Sequence, residues 1–477
     1  MRTRYLRTVA LAVLATVAVA CGSSTPAPQP TLTTVQGRTR IDGWNAIAAI
    51  LQILGVTEGA PPLDTLLGPV SATADSDTTF YTRAVGWLAG RLWNGYEVEA
   101  VEIGYQGRAL DAMGLPMTRT LSGAVFMPDP RGKAKAVPIV VYTHGTELKR
   151  SLVASRGLVE SGYDPSLGGA EGLIGAGFAS AAPAIVLMPD YQGMGSDNDP
   201  AYYHPYVHRD SLAWASVDMV KGVLERIDLA GSDFLPKGLS WNGKLYVIGY
   251  SEGGFAAMAF TREWEVQGGA TAMGFPLDCS APLAGPHNLS GQMVPVMTNG
   301  RDDFGAPFFL PYVLYAYERV YPAVVHPDEA LRPDYVTRKL RDMMSGAFGG
   351  GYVDEFIWGI GGKPMKARNL MVETWVQANL DVPSPVTEVI ARNNTVAQQG
   401  TDGAWVNSMP VYMIHSSGDR LVPYGNSQDA KGWLVGGNGA PVSLRTVSPH
   451  GWNPDHGPAA PFALVGGIYW LANGCKE

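Results

Sequence analysis

The chain has 477 residues, of which 46% are hydrophobic and 16% are charged, so it can bury a large core and is not expected to be disordered. Its 35 basic and 43 acidic residues give a net charge of −8, and the body of the chain has no run of Lys or Arg. Nucleic acid is therefore not expected as a partner.

The N-terminus has the pattern of an export signal. Arg2, Arg4 and Arg7 precede an apolar stretch, residues 8–20, which ends in small residues. This stretch is too short to span a membrane as a helix, whereas its length and basic flank are typical of a secretory signal. We therefore expect residues 1–20 to be a signal peptide.

The cysteine that follows this signal suggests a lipid anchor. The sequence from Ala18 to Cys21 resembles the lipobox of bacterial lipoproteins, in which the cysteine is lipidated, although that family usually has Leu where this chain has Ala18. Residues 21–40 begin with a Pro-, Ser- and Thr-rich run that is typical of a flexible tether. The resemblance implies an exported lipoprotein, periplasmic or on the cell surface, that touches the membrane only through this anchor. If Cys21 is instead part of a signal cleaved nearby, the protein is secreted.

Two further cysteines, Cys279 and Cys475, remain in the body of the chain. Because disulfides persist in exported proteins, these two residues are candidates for a disulfide bond. The sequence contains no Cys-x-x-Cys pair and no cluster of Cys and His residues, so no metal site is predicted.

The apolar residues follow two patterns along the chain. Residues 97–103 and 119–126 alternate between polar and apolar, as half-buried antiparallel strands do. Later runs are almost continuously apolar, which is typical of parallel strands covered on both faces. These runs are 137–142, 184–188, 244–248 and 409–414.

Helical segments lie between the apolar runs, at 209–228 and 253–264. Antiparallel strands followed by alternating strands and helices predict an α/β fold. We expect a mostly parallel sheet with helices on both faces.

A short motif between one of these strands and one of these helices carries the candidate chemistry. Gly249-Tyr250-Ser251-Glu252-Gly253 has the pattern GxSxG, which forms a sharp turn that exposes a nucleophilic serine above the sheet. Glycine before and after the serine lets the strand and the helix approach closely. Ser251 is therefore the predicted nucleophile, and an ordinary glycine-rich turn is the alternative.

The motif and its context resemble the α/β-hydrolase superfamily, in which the catalytic residues follow the order serine, acid, histidine. Residues 411–423 resemble the acid loop of that family and imply that Asp419 is the acid. Two histidines follow, His450 and His456. His456 is the predicted base because it directly precedes the last apolar helix, as the catalytic histidine does in the family, and His450 is the alternative.

The same resemblance implies an oxyanion hole made of two backbone N–H groups. One donor would be Glu252, at the start of the helix that follows the serine. The other would be Thr146, since His144-Gly145-Thr146 resembles the HG motif of the superfamily. His144 precedes the serine and lies on the wrong loop for the base, so it is expected to be structural, and so is His415.

The resemblance also divides the chain. Residues 188–195 and 284–288 look like segments of secretory lipases and related bacterial esterases. The hydrolase core would comprise 41–290 and 403–477. The intervening segment, 291–402, contains a densely aromatic run and amphipathic patterns, which predict a mainly helical cap inserted into the core.

The function implied by the resemblance is that of a serine carboxylesterase or lipase. It would cleave carboxylic esters of apolar acyl groups, from small molecules or lipids, through an acyl-enzyme on Ser251 and without a cofactor. An exported serine peptidase of the same fold is one alternative, and a non-catalytic binding protein is another. The latter predicts the loss of a triad member, whereas all three are present in the sequence. Acyl length, the alcohol and the oligomeric state are left open.

Overall fold

The computed structural model describes residues 30–69, 71, 73–111, 113–197, 204–299, 304–434 and 440–476. The predicted signal peptide, Cys21 and the first part of the predicted tether lie outside these residues. Among the residues described, no helix is both long enough and apolar enough to cross a membrane.

Nine strands of this part of the chain form one sheet, in the order β1-β2-β3-β7-β4-β8-β9-β10-β11, and β5 and β6 form a separate small pair. The pairs β1–β2, β2–β3 and β3–β7 are antiparallel, and the sheet is parallel from β7 to β11. The strands are β1 (Leu32–Ile41), β2 (Val98–Leu110), β3 (Pro116–Pro128), β4 (Lys135–Thr143), β5 (Leu158–Val159), β6 (Gly162–Tyr163), β7 (Ile185–Pro189), β8 (Leu239–Tyr250), β9 (Cys279–Leu283), β10 (Val411–His415) and β11 (Val442–Thr446).

Helices cover both faces of this sheet. In β4, Val140 and Tyr142 belong to one buried cluster and Ile139 and Val141 to the other, as alternating side chains of a doubly covered strand must. The first helices are α1 (Gly43–Val56), α2 (Leu63–Leu67), α3 (Ser76–Ala89), α4 (Pro165–Gly168), α5 (Glu171–Ala181), α6 (Arg209–Asp228), α7 (Glu252–Val266) and α8 (Gly269–Met273). The predicted fold class is confirmed.

The segment predicted as a cap is helical where it is described. Its helices are α9 (Val294–Asn299), α10 (Phe309–Val320), α11 (Pro327–Ala330), α12 (Pro333–Thr337), α13 (Leu340–Met343), α14 (Gly350–Gly361), α15 (Glu373–Asn379) and α16 (Pro385–Arg392). Buried residues of α10, such as Leu310 and Tyr315, belong to the same apolar cluster as Phe255 and Phe260 of α7. The inserted helices are therefore packed against the core.

The chain then returns to the sheet through β10 and β11 and two last helices, α17 (Gly425–Leu434) and α18 (His456–Ala472). Single turns of other helix types occur at Ala154–Gly157, Leu289–Met293, Ala367–Leu370 and Pro449–Gly451. A disulfide joins Cys279, at the start of β9, to Cys475, just beyond α18. The two cysteines predicted as a candidate pair are thus bonded, and the bond ties the segment after α18 to β9.

The structure differs from the sequence prediction at the tether. Residues from Leu32 onward form the edge strand β1, which pairs with β2, whereas the prediction placed a tether up to residue 40. Most side chains of β1 are exposed, including those of Thr33 and Thr34. An exposed edge strand needs no apolar alternation, so its polar composition resembles that of a linker.

Candidate active site

Ser251 occupies a sharp turn between β8, which ends at Tyr250, and α7, which begins at Glu252. Its backbone has φ 60° and ψ −123°, a conformation that L-residues rarely adopt and that costs about 1–3 kcal/mol. Its N–H donates to Leu283 O at 3.0 Å, and its carbonyl accepts from Phe255 N at 2.9 Å. These bonds to β9 and α7 hold the strained turn in place.

The glycines of the motif allow this turn to pack against the neighbouring strand. A Cβ on Gly253 would overlap the carbonyl oxygen of Thr143 in β4, and a Cβ on Gly249 would overlap Gly253 O. The Thr143 hydroxyl also donates to the carbonyls of Ile248 and Gly253, at 3.0 and 2.7 Å. Only glycine fits at these two positions, which explains the spacing of the motif.

The structure brings the three predicted triad residues together. Ser251 Oγ lies 2.8 Å from His456 Nε2, and His456 Nδ1 lies 2.5 Å from Asp419 Oδ2. His456 is the first residue of α18, where Asp455 caps the helix and accepts from the His456 N–H at 2.8 Å. With Nδ1 protonated and donating to Asp419, Nε2 is left to accept the hydroxyl proton of Ser251.

Asp419 lies on the loop after β10 and is buried. Its Oδ1 accepts from Leu421 N at 3.0 Å and from Val422 N at 2.8 Å. Burial alone would raise the pKa of Asp419, but His456 and His415 outweigh it and hold that pKa well below its usual value. Asp419 is therefore an anion at neutral pH, as the orienting acid of a triad must be.

His415 is the residue whose position the sequence did not anticipate. It was expected to be structural, yet its Nε2 lies 3.1 Å from Asp419 Oδ2 and 2.9 Å from Val422 O, while Nδ1 faces Ser427 Oγ at 2.8 Å. Both His415 and Asp419 are buried. Its place at the end of β10, on the strand that feeds the acid loop, is the sequence signal that could have indicated this contact.

The alternative base, His450, lies elsewhere. It is exposed, in the turn Pro449–Gly451, and its N–H donates to Thr78 Oγ1 at 2.8 Å. Its neighbours are residues of α2 and α3, including Thr65 and Thr82, rather than those of the elbow. The structure thus places His456, and not His450, beside Ser251.

The two predicted oxyanion donors flank the elbow. Glu252 is the first residue of α7, so its N–H is one of the helix amides without an intrahelical partner. Thr146 follows β4, whose last residue, Thr143, pairs with Gly249 of β8 in the sheet. The loop carrying Thr146 is held by Gly145, whose N–H donates to both oxygens of Glu171 at 3.0 and 3.1 Å.

Acidic side chains surround this loop. Burial, reinforced by the charges of Glu171 and Glu252, raises the pKa of Glu147 to about 8. Burial also raises the pKa of Glu171. Glu147 is thus a carboxylic acid at neutral pH, directly next to Thr146. Within the described part of the chain, no group of three or more His, Cys, Asp and Glu side chains is placed to hold a metal ion.

Ser251 opens into an apolar cavity between the core and the inserted helices. Apart from Ser251, the described residues that line it are apolar except for the hydroxyl groups of two tyrosines, Tyr206 and Tyr317. Residues from the core and from the insertion both contribute, among them Pro286, Leu289, Met297, Leu310, Val313, Leu380 and Ile390. The nucleophile therefore faces a space suited to an apolar group.

Solved structures with the same architecture confirm that the chain has the α/β-hydrolase fold. A candidate hydrolase from Legionella pneumophila has a TM-score of 0.68 and 23% identity, over 94% of this chain and 99% of that one. The rice cell wall degrading esterase LipA from Xanthomonas oryzae has a TM-score of 0.60 and 21% identity, over 94% and 97%. Lipase A from Candida antarctica has a TM-score of 0.56 and 15% identity, over 80% and 79%. No protein-family model and no curated protein sequence matches the chain.

Proposed function

We propose that the protein is a serine hydrolase that cleaves carboxylic esters of apolar acyl groups, as a carboxylesterase or lipase. The observation that carries the proposal is the continuous hydrogen-bonded chain from Ser251 through His456 to Asp419, with its serine end open to an apolar cavity. Structures with this fold include an esterase and a lipase, which supports ester chemistry.

The steps of ester hydrolysis follow from the positions of the protons in the hydrogen-bonded series Ser251, His456 and Asp419. Ser251 Oγ attacks the ester carbonyl while His456 Nε2 takes its proton, and Asp419 stabilises the imidazolium that forms. His456 then returns the proton to the leaving alcohol, which leaves an acyl group on Ser251. Water, activated by the same histidine, attacks the acyl-enzyme and releases the carboxylic acid.

The negative charge that develops on the carbonyl oxygen needs donors. The amides of Glu252 and Thr146 are assigned this role, since both lie at the carboxyl ends of adjacent parallel strands beside Ser251. The dipole of α7 adds to the effect because its positive end lies at the reacting centre. Removing one such donor from other serine hydrolases costs about 3–4 kcal/mol of transition-state stabilisation.

The apolar lining of the cavity favours a substrate that is recognised through an apolar acyl group. Each methylene that leaves water for an apolar site contributes about 0.8 kcal/mol, so a longer acyl chain should bind more strongly until the cavity is filled. Among the residues described, the cavity lining has no charged side chain that could pair with a peptide terminus. An ester with a hydrocarbon acyl chain fits this lining better than a peptide does.

A serine peptidase would need a group that binds a substrate amine, and Glu252, next to the nucleophile, is an acidic side chain that could do so. The carboxyl group of Glu252 is buried, and its Oε1 lies 2.7 Å from Nε2 of His204. A side chain held in this way is not presented to substrate. The non-catalytic alternative predicted an incomplete triad, and the three side chains lie within hydrogen-bonding distance.

Export as a lipoprotein or secreted protein remains part of the proposal. The Cys279–Cys475 disulfide supports it, because such bonds persist in oxidising compartments. Metabolic labelling with a fatty-acid analogue should modify the full chain and not a Cys21→Ser variant, and labelling of both would contradict the assignment of Cys21.

The function is tested on protein comprising residues 22–477. A fluorophosphonate probe should label Ser251, and p-nitrophenyl esters should be hydrolysed while aminoacyl nitroanilides are not. Ser251→Ala should lose both labelling and turnover, whereas Ser161→Ala, at an exposed serine between β5 and β6, should keep both. Amidase activity without esterase activity, or an unlabelled Ser251 in folded protein, would overturn the proposal.

A further inference from the structure

A second histidine–carboxylate pair lies behind the nucleophile. His204 Nε2 is 2.7 Å from Glu252 Oε1, and the two side chains are 2% and 0% exposed. The other ring nitrogen, Nδ1, faces Gln192 O at 3.0 Å. Oε2 of Glu252 has no hydrogen-bond partner among the residues described. The triad chemistry uses neither side chain, although Glu252 directly follows Ser251.

The partners of His204 determine how many protons the pair holds. A carbonyl oxygen can only accept, so Nδ1 must carry a hydrogen and donate to Gln192 O. The short contact between Nε2 and Oε1 then requires one proton between them. The pair is either an imidazolium with a carboxylate or a neutral imidazole with a carboxylic acid, and both forms have zero net charge.

A stack of rings connects this pair to the other side of the elbow. The Tyr191 ring lies between His144 and His204, with centroid distances of 4.2 Å to the first and 5.6 Å to the second. The Tyr191 hydroxyl also donates to His144 O at 3.1 Å. His144 begins the loop that carries Thr146. The two backbone segments assigned as oxyanion donors are thus joined through three side chains.

The pair also keeps the start of α7 free for substrate. A carboxylate in the first turn of a helix can accept from the unpaired amides of that turn. Among the described residues, the carboxylate of Glu252 bonds to His204 instead. The Glu252 side chain therefore does not accept hydrogen bonds from the N-terminal amides of α7, which remain available to bind an oxyanion.

We propose that His204 is a positioning residue for the oxyanion site. By bonding the Glu252 side chain and stacking on Tyr191, it holds the Glu252 amide in register with the Thr146 loop. It acts on the transition state, in which the oxyanion forms, rather than on substrate binding. The inference rests on the proposed function, since it assigns a role within that same reaction.

The test is a kinetic comparison of variants in the purified protein, with a soluble p-nitrophenyl ester as substrate. His204→Leu should lower kcat about 10- to 100-fold, because small misplacements of catalytic groups cost about 10²-fold, while KM stays within about threefold. His208→Asn is the matched control, since His208 is a buried histidine of the same segment that caps α6. Asn is also a good N-cap residue, so kcat should remain close to that of the wild type.

Conservative variants separate positioning from general packing. Glu252→Gln keeps a donor for the neutral ring at Nε2, so it should lose less kcat than Glu252→Leu does. Glu252→Leu should lose kcat as His204→Leu does. The double variant, His204→Leu with Glu252→Leu, should be no worse than either single one, because the two side chains act as a unit. If His204→Leu does not fold, His204→Asn replaces it, since its shorter side chain cannot reach both Gln192 O and Glu252.

The outcomes distinguish the two proposals. If the wild type is labelled at Ser251 and hydrolyses the ester, but His204→Leu retains its kcat, the positioning role is overturned and the proposed function stands. A change in KM alone, or equal losses in Glu252→Gln and Glu252→Leu, also overturns the positioning role. If the wild type is neither labelled nor active, the proposed function itself fails.

Discussion

The Nε2 atom of His415 lies 3.1 Å from Oδ2 of Asp419, the same oxygen that is 2.5 Å from Nδ1 of His456. Val422 O also faces His415 Nε2 at 2.9 Å, so this nitrogen carries a hydrogen. One carboxylate oxygen is therefore bonded by two imidazole rings. The acid of the proposed triad is thus held by a second imidazole ring as well as by the base.

His415→Leu should weaken both stability and catalysis. It removes a buried hydrogen bond to a charged group, which contributes about 1.5–3 kcal/mol to the free energy of unfolding. Asp419 would also be less firmly held, so kcat should fall about 10-fold. Urea denaturation and ester kinetics measure the two effects. His326→Leu, at an exposed histidine of the insertion, is the control, and unchanged stability in His415→Leu would contradict the prediction.

Replacement of the two C-terminal histidines should have very different effects. His456→Ala removes the proposed base and should lower kcat at least about 10³-fold. His450→Ala alters an exposed turn and should leave kcat within about twofold. His450→Ala should keep the unfolding midpoint of the wild type, whereas His456→Ala should lower it because a hydrogen bond to the buried Asp419 carboxylate is lost. The reverse order of activity would mean that the base is wrongly assigned.

Much of this site could be predicted because strong local patterns surround it. The predicted helix at 209–228 coincides with α6, and the predicted strand–turn–helix around Ser251 has the predicted form. The apolar strand before Asp419 and the helix after His456 are equally clear in the sequence. Residues at the ends of such elements are placed by the sheet itself, so long-range contacts need not be known.

The remaining parts depend on contacts that leave no local pattern. His204 reaches Glu252, and Tyr191 reaches His144, only because separate loops converge at one edge of the sheet. Strand β1 has a linker-like composition because it lies at an exposed edge. The contact of His415 with Asp419 leaves no local pattern either, because it depends on how the loop after β10 turns back on itself.

The disulfide should stabilise the protein without being required for turnover. Cys279 and Cys475 are 196 positions apart, so the bond restricts a long loop of the unfolded chain and should contribute about 2–4 kcal/mol. The double variant Cys279→Ser with Cys475→Ser should therefore unfold at lower temperature and still hydrolyse esters at 25 °C. Reductant should lower the unfolding temperature of the wild type towards that of the variant, and it should not change the unfolding temperature of the variant. A reductant effect on the variant would point to another cause.

Narrowing the cavity should change the acyl preference. In the wild type, kcat/KM should rise by up to about fourfold for each added methylene until the cavity is filled. Val313 lines the cavity from α10, and Val313→Trp should end this rise at a shorter acyl chain. Hydrolysis of p-nitrophenyl acetate in the same variant is the internal control and should stay near the wild-type rate. Equal losses on short and long esters would show that the cavity does not hold the acyl chain.

The carboxyl group of Glu147 should limit activity at alkaline pH. Its pKa is raised to about 8 by burial and by Glu171 and Glu252, so it ionises as the pH rises through that value. The new negative charge would lie beside Thr146 and oppose the developing oxyanion. We expect kcat/KM to fall above about pH 8 in the wild type and not in Glu147→Gln. Glu58→Gln, at an exposed position, should retain the wild-type profile.

The free energy of unfolding should also depend on pH through Glu147, and the direction of this dependence follows from its raised pKa. The unfolded chain loses the Glu147 proton near pH 4.3, whereas the folded protein keeps it up to about pH 8. Between these values the folded state binds one more proton, so the free energy of unfolding falls as pH rises, by up to about 1.4 kcal/mol per pH unit. Glu147→Gln should remove this contribution and be more stable than the wild type at pH 8. Urea denaturation at pH 5, 6.5 and 8 measures the slopes, and parallel slopes for the two proteins would show that Glu147 ionises normally.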